Sequence, residues 1–560
     1  MSGGRSPSLL RPLIASLASA LLLALSQPGP DLAPVTFLAL VPWTLARLGP
    51  GGGARAWLAD YAGGLVFFAA SAGWLSHVAF VAAAIVIPVS ALSFVVSGWA
   101  LRRLARRLPV SLAVALAWTA GEYLRSLCPP GGFPMGILGA GLYRVPLLLQ
   151  VADLGGMFLV SFLVAGVNGA LAGLLAPRLG LRPRGGLRVE GACGLLALLG
   201  PAVYGGARGP TPTVEGPVVT LVQANVSEAS KREVQTGGGD AEEWARSLYQ
   251  AHRRLSLAAA DPGDLLVWPE TMLPFPLGNG KPGEVFVEAG ELPGGPFHYE
   301  VADAQAAEEE LVRRGVIEAL RERKPHFLVG ALFYDRLEGR FRLFNTAVLF
   351  SPKGERIDWY HKVHLVPGGE VLPWRRALPF ADAVGRWIES WAGYFPDLAG
   401  GRGPKRFTFR ARDGKEWRFG VGICWDNAYS DLFRANAREG VDFHVVLSNE
   451  AHFLDSYEME QLLAHAAFRA VETRRAVVRA TNTGITALLT PDGRVAAVLE
   501  REGRRKDVAG TLTVRVPVAE RGSLFLRIGE AFPAGATAVA LLLAGLLRRR
   551  GGAAESPCSA

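Results

Sequence analysis

Two hydrophobic textures divide the chain. Up to about residue 207, apolar stretches continue for close to 20 positions and are broken by short loops of Gly, Pro and Arg. A helix needs about 20 apolar residues to cross a bilayer. Spans are therefore expected near 10–27, 32–48, 58–77, 79–101, 109–127, 147–176 and 187–205, with an eighth near 530–547. No small-residue cleavage site follows the first run and more runs come directly after it, so a retained helix is expected rather than a cleaved signal. Between 214 and 520 the texture changes to short apolar runs bounded by turn residues. "VVTLVQANV", "DLLVWPE", "HFLVGALFY", "NTAVLFSP", "FGVGIC", "DFHVVLSNE", "RAVVRATNTG" and "ALLTPDG" read as buried strands. Helical periodicity fills 240–260, 304–323 and 457–475. Strands alternating with helices predict a layered α/β domain. The expected organisation is thus a membrane domain of about seven helices over 1–207, a catalytic domain over 214–520, and a C-terminal membrane helix over 525–550.

Charge adds an orientation. The loops after the second, fourth and sixth spans carry Arg47 and Arg55, the run "RRLARR" from Arg102 to Arg107, and Arg178, Arg182, Arg184 and Arg188. Arg5 and Arg11 precede the first span and Arg548, Arg549 and Arg550 end the last, whereas the alternate loops are nearly free of Lys and Arg, Arg144 excepted. By the positive-inside rule both termini are expected in the cytoplasm and residues 214–520 outside it, on the periplasmic side of a bacterial inner membrane. The chain of 560 residues is 50% hydrophobic, with a formal charge of +9. Its mean hydropathy is +0.23. Because the arginines sit in clusters between apolar runs, the positive charge points to membrane topology and no nucleic-acid partner is expected. The four cysteines are far apart and form no CxxC pair, so neither a disulfide framework nor a metal site is expected. Glu122 and Arg125, one turn apart in an apolar span, are candidates to pair with each other.

The chemistry concentrates at strand ends. Glu270 closes "LLVWPE", Lys362 lies in "WYHKVHLVPGGE", and Cys424 closes "FGVGIC". A carboxylate can deprotonate a thiol, an ammonium can stabilise an oxyanion, and a thiolate can attack an acyl carbon. Singly, each is as well explained as a surface charge or a buried inert thiol. A helix expected over 425–437 would place Cys424 at its start, where the dipole and Lys362 would lower the thiol pKa.

"WPET", "HKVHLVPGGE" and "GICWD", in that order, resemble the nitrilase (carbon–nitrogen hydrolase) superfamily, whose fold is an α-β-β-α sandwich with a Glu–Lys–Cys triad. Membrane spans before and after such a domain, with "GEYLR", "GGFP" and "LLQVADLGGMFLVSFLVAGVNGAL", resemble its membrane-integral branch, the bacterial apolipoprotein N-acyltransferases. The resemblance implies a two-step acyl transfer without a cofactor. Glu270 would be the general base, Cys424 the nucleophile and Lys362 the oxyanion stabiliser, with the Trp425 backbone N–H beside it. The acyl donor would be a membrane phospholipid, the intermediate a thioester, and the acceptor the N-terminal amine of a diacylglyceryl apolipoprotein. Asn345 and Glu370 match further positions of the family's site, and Asp426 stands where the family has a glutamate. Glu370 and Asp426 could equally serve to hold Lys362.

"FADAVGRWIESWAGYF" sets Phe380, Val384, Trp387, Ile388 and Trp391 on one helical stripe, suited either to a lipid interface or to packing on the sheet. His452 and Phe453, in "SNEAHFL", are further candidates to face substrate. The chain departs from the family pattern at His452, Leu454, Glu450, Leu462, Asp426 and Met135. Two other readings remain open at this stage: a membrane-tethered amidase that hydrolyses its acyl-enzyme, and a non-catalytic lipoprotein-binding protein.

Overall fold

The structure is a computed structural model. It describes residues 9–549 apart from 51–52, 79, 129–131, 183, 227–240, 282, 288–298, 321–322, 372–382, 384, 388–396 and 521. The chain divides into two units. The first takes the described parts of Met1–Trp74, Ala83–Pro210 and Ser523–Ala560, and the second takes Leu75–Ala82 and Thr211–Gly522.

The first unit is helical. Its longer helices are Leu10–Ser26, Ala54–Ala72, Val110–Leu127, Ala152–Leu175, Gly186–Arg208 and Ala531–Arg549, together with most of Phe80–Leu104. Three described segments, Ala82–Leu104, Ala152–Leu179 and Gly186–Arg208, are long and apolar enough to cross a membrane. The expected span at 32–48 is not one continuous helix. It is a 3-10 turn, Ala33–Phe37, followed by a helix of 8 residues, Val41–Leu48. Pro34 and Pro42 stand at the two starts, and proline lacks the N–H that would bond back into a preceding turn. Small residues bring the helices close: a Cβ placed on Gly169 would lie 2.7 Å from the Val110 carbonyl oxygen. Several buried charged groups find partners inside the unit. Asp60 accepts from the Trp43 indole at 2.7 Å and pairs with Arg47 at 2.8 Å. The expected pairing of Glu122 with Arg125 is absent from the described ion pairs. Glu122 instead accepts from Trp118, the Leu138 N–H and Ser161, while Arg125 donates to the carbonyls of Phe133 and Met135. The loop after the helix holds carbonyls that its own backbone leaves open, and the guanidinium satisfies them.

The second unit is built from twelve principal strands: β1 Thr213–Gln223, β2 Leu265–Val267, β3 His326–Leu337, β4 Arg340–Phe350, β5 Arg356–His361, β6 Arg406–Arg410, β7 Glu416–Ile423, β8 Phe443–Ser448, β9 Ala476–Thr481, β10 Ala487–Leu489, β11 Val495–Val498 and β12 Gly510–Ala519. One sheet runs β12-β1-β2-β3-β4-β5 and the other β11-β10-β9-β8-β7-β6. Both have parallel centres, β1-β2-β3 and β7-β8-β9, with antiparallel flanks. The central strands β2, β8 and β9 are buried along their whole length, as strands covered on both faces must be. The sheets stack through Gln223 on β1, whose Oε1 accepts from the hydroxyls of Thr481 (3.0 Å) and Thr486 (2.6 Å). The helix Ala241–Ala258 covers the first sheet, and Ser430–Arg438 and Glu458–Thr473 cover the second. The unit is the expected α-β-β-α sandwich.

Trp268 anchors the first sheet beneath the site. It is fully buried, packs edge-on against Tyr249 and Phe327, and donates to Ser256 Oγ at 2.8 Å. Trp268→Ala removes this packing and leaves a cavity, a loss of about 3–5 kcal/mol. The expected result is a lower urea midpoint for the detergent-solubilised chain, followed by tryptophan-independent far-UV dichroism.

Candidate active site

Three strand ends deliver the side chains. The chain leaves β2 at Val267 and reaches Glu270 three residues later; Lys362 follows β5 and Cys424 follows β7 directly. The approach of Glu270 depends on Gly330 of β3, where an added Cβ would meet the Pro269 oxygen at 2.4 Å and the Glu270 Cα at 2.5 Å. Only a residue without a side chain fits there. The Lys362 N–H donates to the Asn345 carbonyl at 2.8 Å, which fixes the lysine against β4.

Lys362 Nζ lies 3.2 Å from Glu270 Oε1 and 2.9 Å from the Glu370 carboxylate. The Asn345 amide donates to both acids, at 2.7 Å to Glu270 and 2.9 Å to Glu370. The second Glu270 oxygen accepts from the Asn449 N–H at 2.8 Å. Glu270, Lys362 and Cys424 are all buried, at 6%, 1% and 4% exposure, so these charges meet in a poorly solvated space. Burial pushes Glu270 up, but Lys362 and the donors from Asn449 and Asn345 outweigh it, and the carboxyl titrates below its ordinary 4.5. Burial likewise pulls Lys362 down, and the charges of Glu270 and Glu370 outweigh it, holding the ammonium well above its ordinary 10.5. The lysine stays charged throughout the physiological range.

The thiol behaves in the opposite way to the expectation from sequence. Burial raises the Cys424 pKa well above 9.0, Glu270 raises it further, and the opposing effect of Lys362 is smaller. Nor does Cys424 open a long helix: a 3-10 turn, Cys424–Ala428, comes first, and the α-helix begins only at Ser430. Desolvation and a facing carboxylate therefore override any dipole. Cys424 has φ +47, a left-handed conformation that costs a residue with a side chain roughly 1–3 kcal/mol. Asp426 holds the turn in this shape. It accepts from the Ile423 N–H (2.9 Å), the His364 N–H (2.8 Å) and the Tyr360 hydroxyl (2.8 Å), and is not paired with Lys362 among the described ion pairs.

The structure thus brings Glu270, Lys362, Asn345 and Glu370 into one hydrogen-bonded cluster in electrostatic reach of Cys424. Trp425 is buried with its indole N–H 3.2 Å from the Tyr429 hydroxyl. Phe453 is buried, and Trp387 is 52% exposed. Trp391, with Phe380, Val384 and Ile388, lies outside the described residues, as does the His452 side chain. Asn449, missed in the sequence, closes a strand (β8) just as the three predicted residues do, and that position was the available signal. Asn482 supports it, donating from its amide to Asn449 Oδ1 at 3.0 Å.

Comparison with known proteins places this geometry. Residues 219–523 match the carbon-nitrogen hydrolase family, and residues 19–170 match the apolipoprotein N-acyltransferase N-terminal domain. The chain is 29% identical over 558 residues to the apolipoprotein N-acyltransferase of Geobacter metallireducens, covering 96% of each chain. It is 32% identical over 466 residues to that of Azotobacter vinelandii, covering 82% of this chain and 78% of that one. The chain belongs to the apolipoprotein N-acyltransferases. Among solved structures, an amidase from Nesterenkonia sp. aligns over 58% of this chain and 97% of its own at 16% identity, with a TM-score of 0.34. As a member of this family the chain is an acyltransferase of lipoprotein biosynthesis, with a carbon–nitrogen hydrolase domain carrying the site.

The electrostatics around Cys424 make a prediction. Glu270→Gln removes the like charge facing the thiol, so its pKa falls; each unit gives about tenfold more thiolate below the pKa. Alkylation of Cys424 by iodoacetamide at pH 8, read from the Cys424 peptide by mass spectrometry, should be faster in Glu270→Gln than in the wild type. Lys362→Met should slow it.

Proposed function

We propose that the chain transfers a fatty acyl group from a membrane phospholipid to the N-terminal amine of S-diacylglyceryl-cysteine in apolipoproteins, through a thioester on Cys424. Glu270 is the general base that takes the thiol proton. The sulfur attacks the ester carbonyl, Lys362 stabilises the oxyanion, and Glu270 returns the proton to the departing lysophospholipid oxygen. The amine then attacks the thioester and gives the triacylated product. The observation that carries this reading is the buried Lys362 ammonium shared between Glu270 and Glu370. It neutralises the base in the resting state and is positioned to neutralise an oxyanion during reaction. Glu370 and Asn345 position the ammonium and the base, and Asp426 positions the nucleophile turn. Eight membrane spans, with both termini cytoplasmic and the catalytic unit on the periplasmic side, would bring it to both lipid substrates; the arginine distribution supports that arrangement.

A high thiol pKa suits this chemistry. The resting site holds Cys–SH beside a carboxylate, and the thiolate forms only as the proton moves to Glu270. Incubation with phospholipid followed by intact-mass analysis is expected to show an acyl adduct on the wild type and none on Cys424→Ala. An adduct on Cys424→Ala would sink the assignment.

The pH profile of adduct formation carries a second test. The reactive Glu270 carboxylate exists above its folded pKa and is lost as pH falls through it, so the wild-type acid limb lies below 4.5. Lys362→Met removes the principal charge that lowers this pKa, and burial then pushes it up. The acid limb should move to higher pH, and the plateau rate should fall about 10²–10³-fold as an oxyanion partner is lost. An unmoved limb would contradict the role given to Lys362.

A further inference from the structure

Beneath the Cys424 turn lies a second group of buried charges that the reaction above does not use. Asn427, three residues after the nucleophile, donates to the Leu462 carbonyl at 2.6 Å, which seats the first turns of the helix Glu458–Thr473 under that turn. Glu458 opens this helix and is fully buried. Neither of its carboxylate oxygens has a hydrogen-bond partner among the described residues. Among the described residues, the ion pairs around it leave no free cation. Arg479 is committed to Glu450 at 2.5 Å, and both are fully buried. Lys506 is committed to Glu460 at 3.1 Å and to Asp455 at 2.9 Å, the latter 81% exposed and solvated. Among the described residues, three glutamates, 450, 458 and 460, thus face two cations, and the one left without a cation, Glu458, acts electrostatically on both Cys424 and Glu270.

A buried carboxylate with two open oxygens and no cation is complementary to an ammonium group. We propose that Glu458 binds the α-ammonium of the acyl acceptor and orients its nitrogen toward the thioester; this rests on the acyl-transfer reading above. Burial and the charge of Glu450 hold the Glu458 carboxyl well above 4.5, which suits it to accept a proton from the bound cation. Bound, the ammonium gives one proton to the Glu458 carboxylate, and the free amine attacks the thioester carbonyl. Glu270 takes the second proton from nitrogen and delivers it to sulfur as the carbon–sulfur bond breaks, leaving an amide and the Cys424 thiol. Glu458 then releases its proton to solvent. Charge recognition at Glu458 also selects an amine over water, because water offers no cation to the carboxylate.

The test compares two nucleophiles on the preformed acyl-enzyme of the full chain in phospholipid micelles. One is a lipopeptide with an S-diacylglyceryl-cysteine N-terminus, cationic at pH 7; the other is hydroxylamine, largely neutral there. In Glu458→Gln the ratio of lipopeptide to hydroxylamine discharge should fall about 10- to 100-fold, the worth of one charge-assisted hydrogen bond. Glu458→Asp, which keeps the charge, should recover part of it. An unchanged ratio in Glu458→Gln, or failure of this variant to form the thioester that the wild type forms, overturns the assignment. Absence of the thioester in the wild type overturns the acyl-transfer reading itself, and the assignment with it.

Discussion

The site depends on one buried ammonium. Glu270 is buried with a second acid, the half-buried Glu370, close by, and holding a charge at such depth unaided costs several kcal/mol. Lys362 lies within 3.2 Å of both, and Asn345 bridges the same two acids. The net charge of the trio is one negative, and that charge is directed at the thiol. Every other feature of the site follows from keeping this trio in place. Gly330 lets the glutamate backbone through, the Asn345 carbonyl fixes the lysine backbone, and the Asn449 N–H occupies the remaining glutamate oxygen.

Cys424 is held by different means. Its left-handed backbone is unfavourable, and a single carboxylate, Asp426, gathers the donors that keep it so. The shorter acid reaches the Ile423 N–H within its own turn. A carboxylate one methylene longer would have to fold back to make the same bond. Asp426 and Glu370, which looked alike in the sequence as possible partners of Lys362, do separate jobs: one shapes the turn and the other holds the ammonium.

Much of this was legible before any coordinates. The strands were, because their apolar runs are short and bounded by turn residues; "DFHVVLSNE" becomes β8 and "VVTLVQANV" the greater part of β1. The placing of Glu270, Lys362 and Cys424 at neighbouring strand ends was, because each directly follows or closely trails an apolar run. Backbone donors were not: the contribution of Asn449 to Glu270 comes from its N–H and leaves no trace in residue type. The direction of the Cys424 shift was misread because dipole and lysine were weighed without the burial and the facing carboxylate. Glu458 was passed over because an acid in the first turn of a helix is ordinarily exposed and helpful to the dipole. Its significance lies in being buried without a donor. The second span was drawn as one helix because hydropathy does not register where prolines interrupt hydrogen bonding.

Glu270 and Lys362 come from one sheet and the Cys424 sulfur from the other. Until the two sheets close on each other through Gln223, Thr481 and Thr486, the chain holds an ordinary solvated thiol on one half and an ordinary ion pair on the other. A partly folded polypeptide therefore does not place Cys424 in the field of Glu270, Lys362 and Glu370. The surroundings of the thiol are thus made by folding itself, and not by any local stretch of sequence.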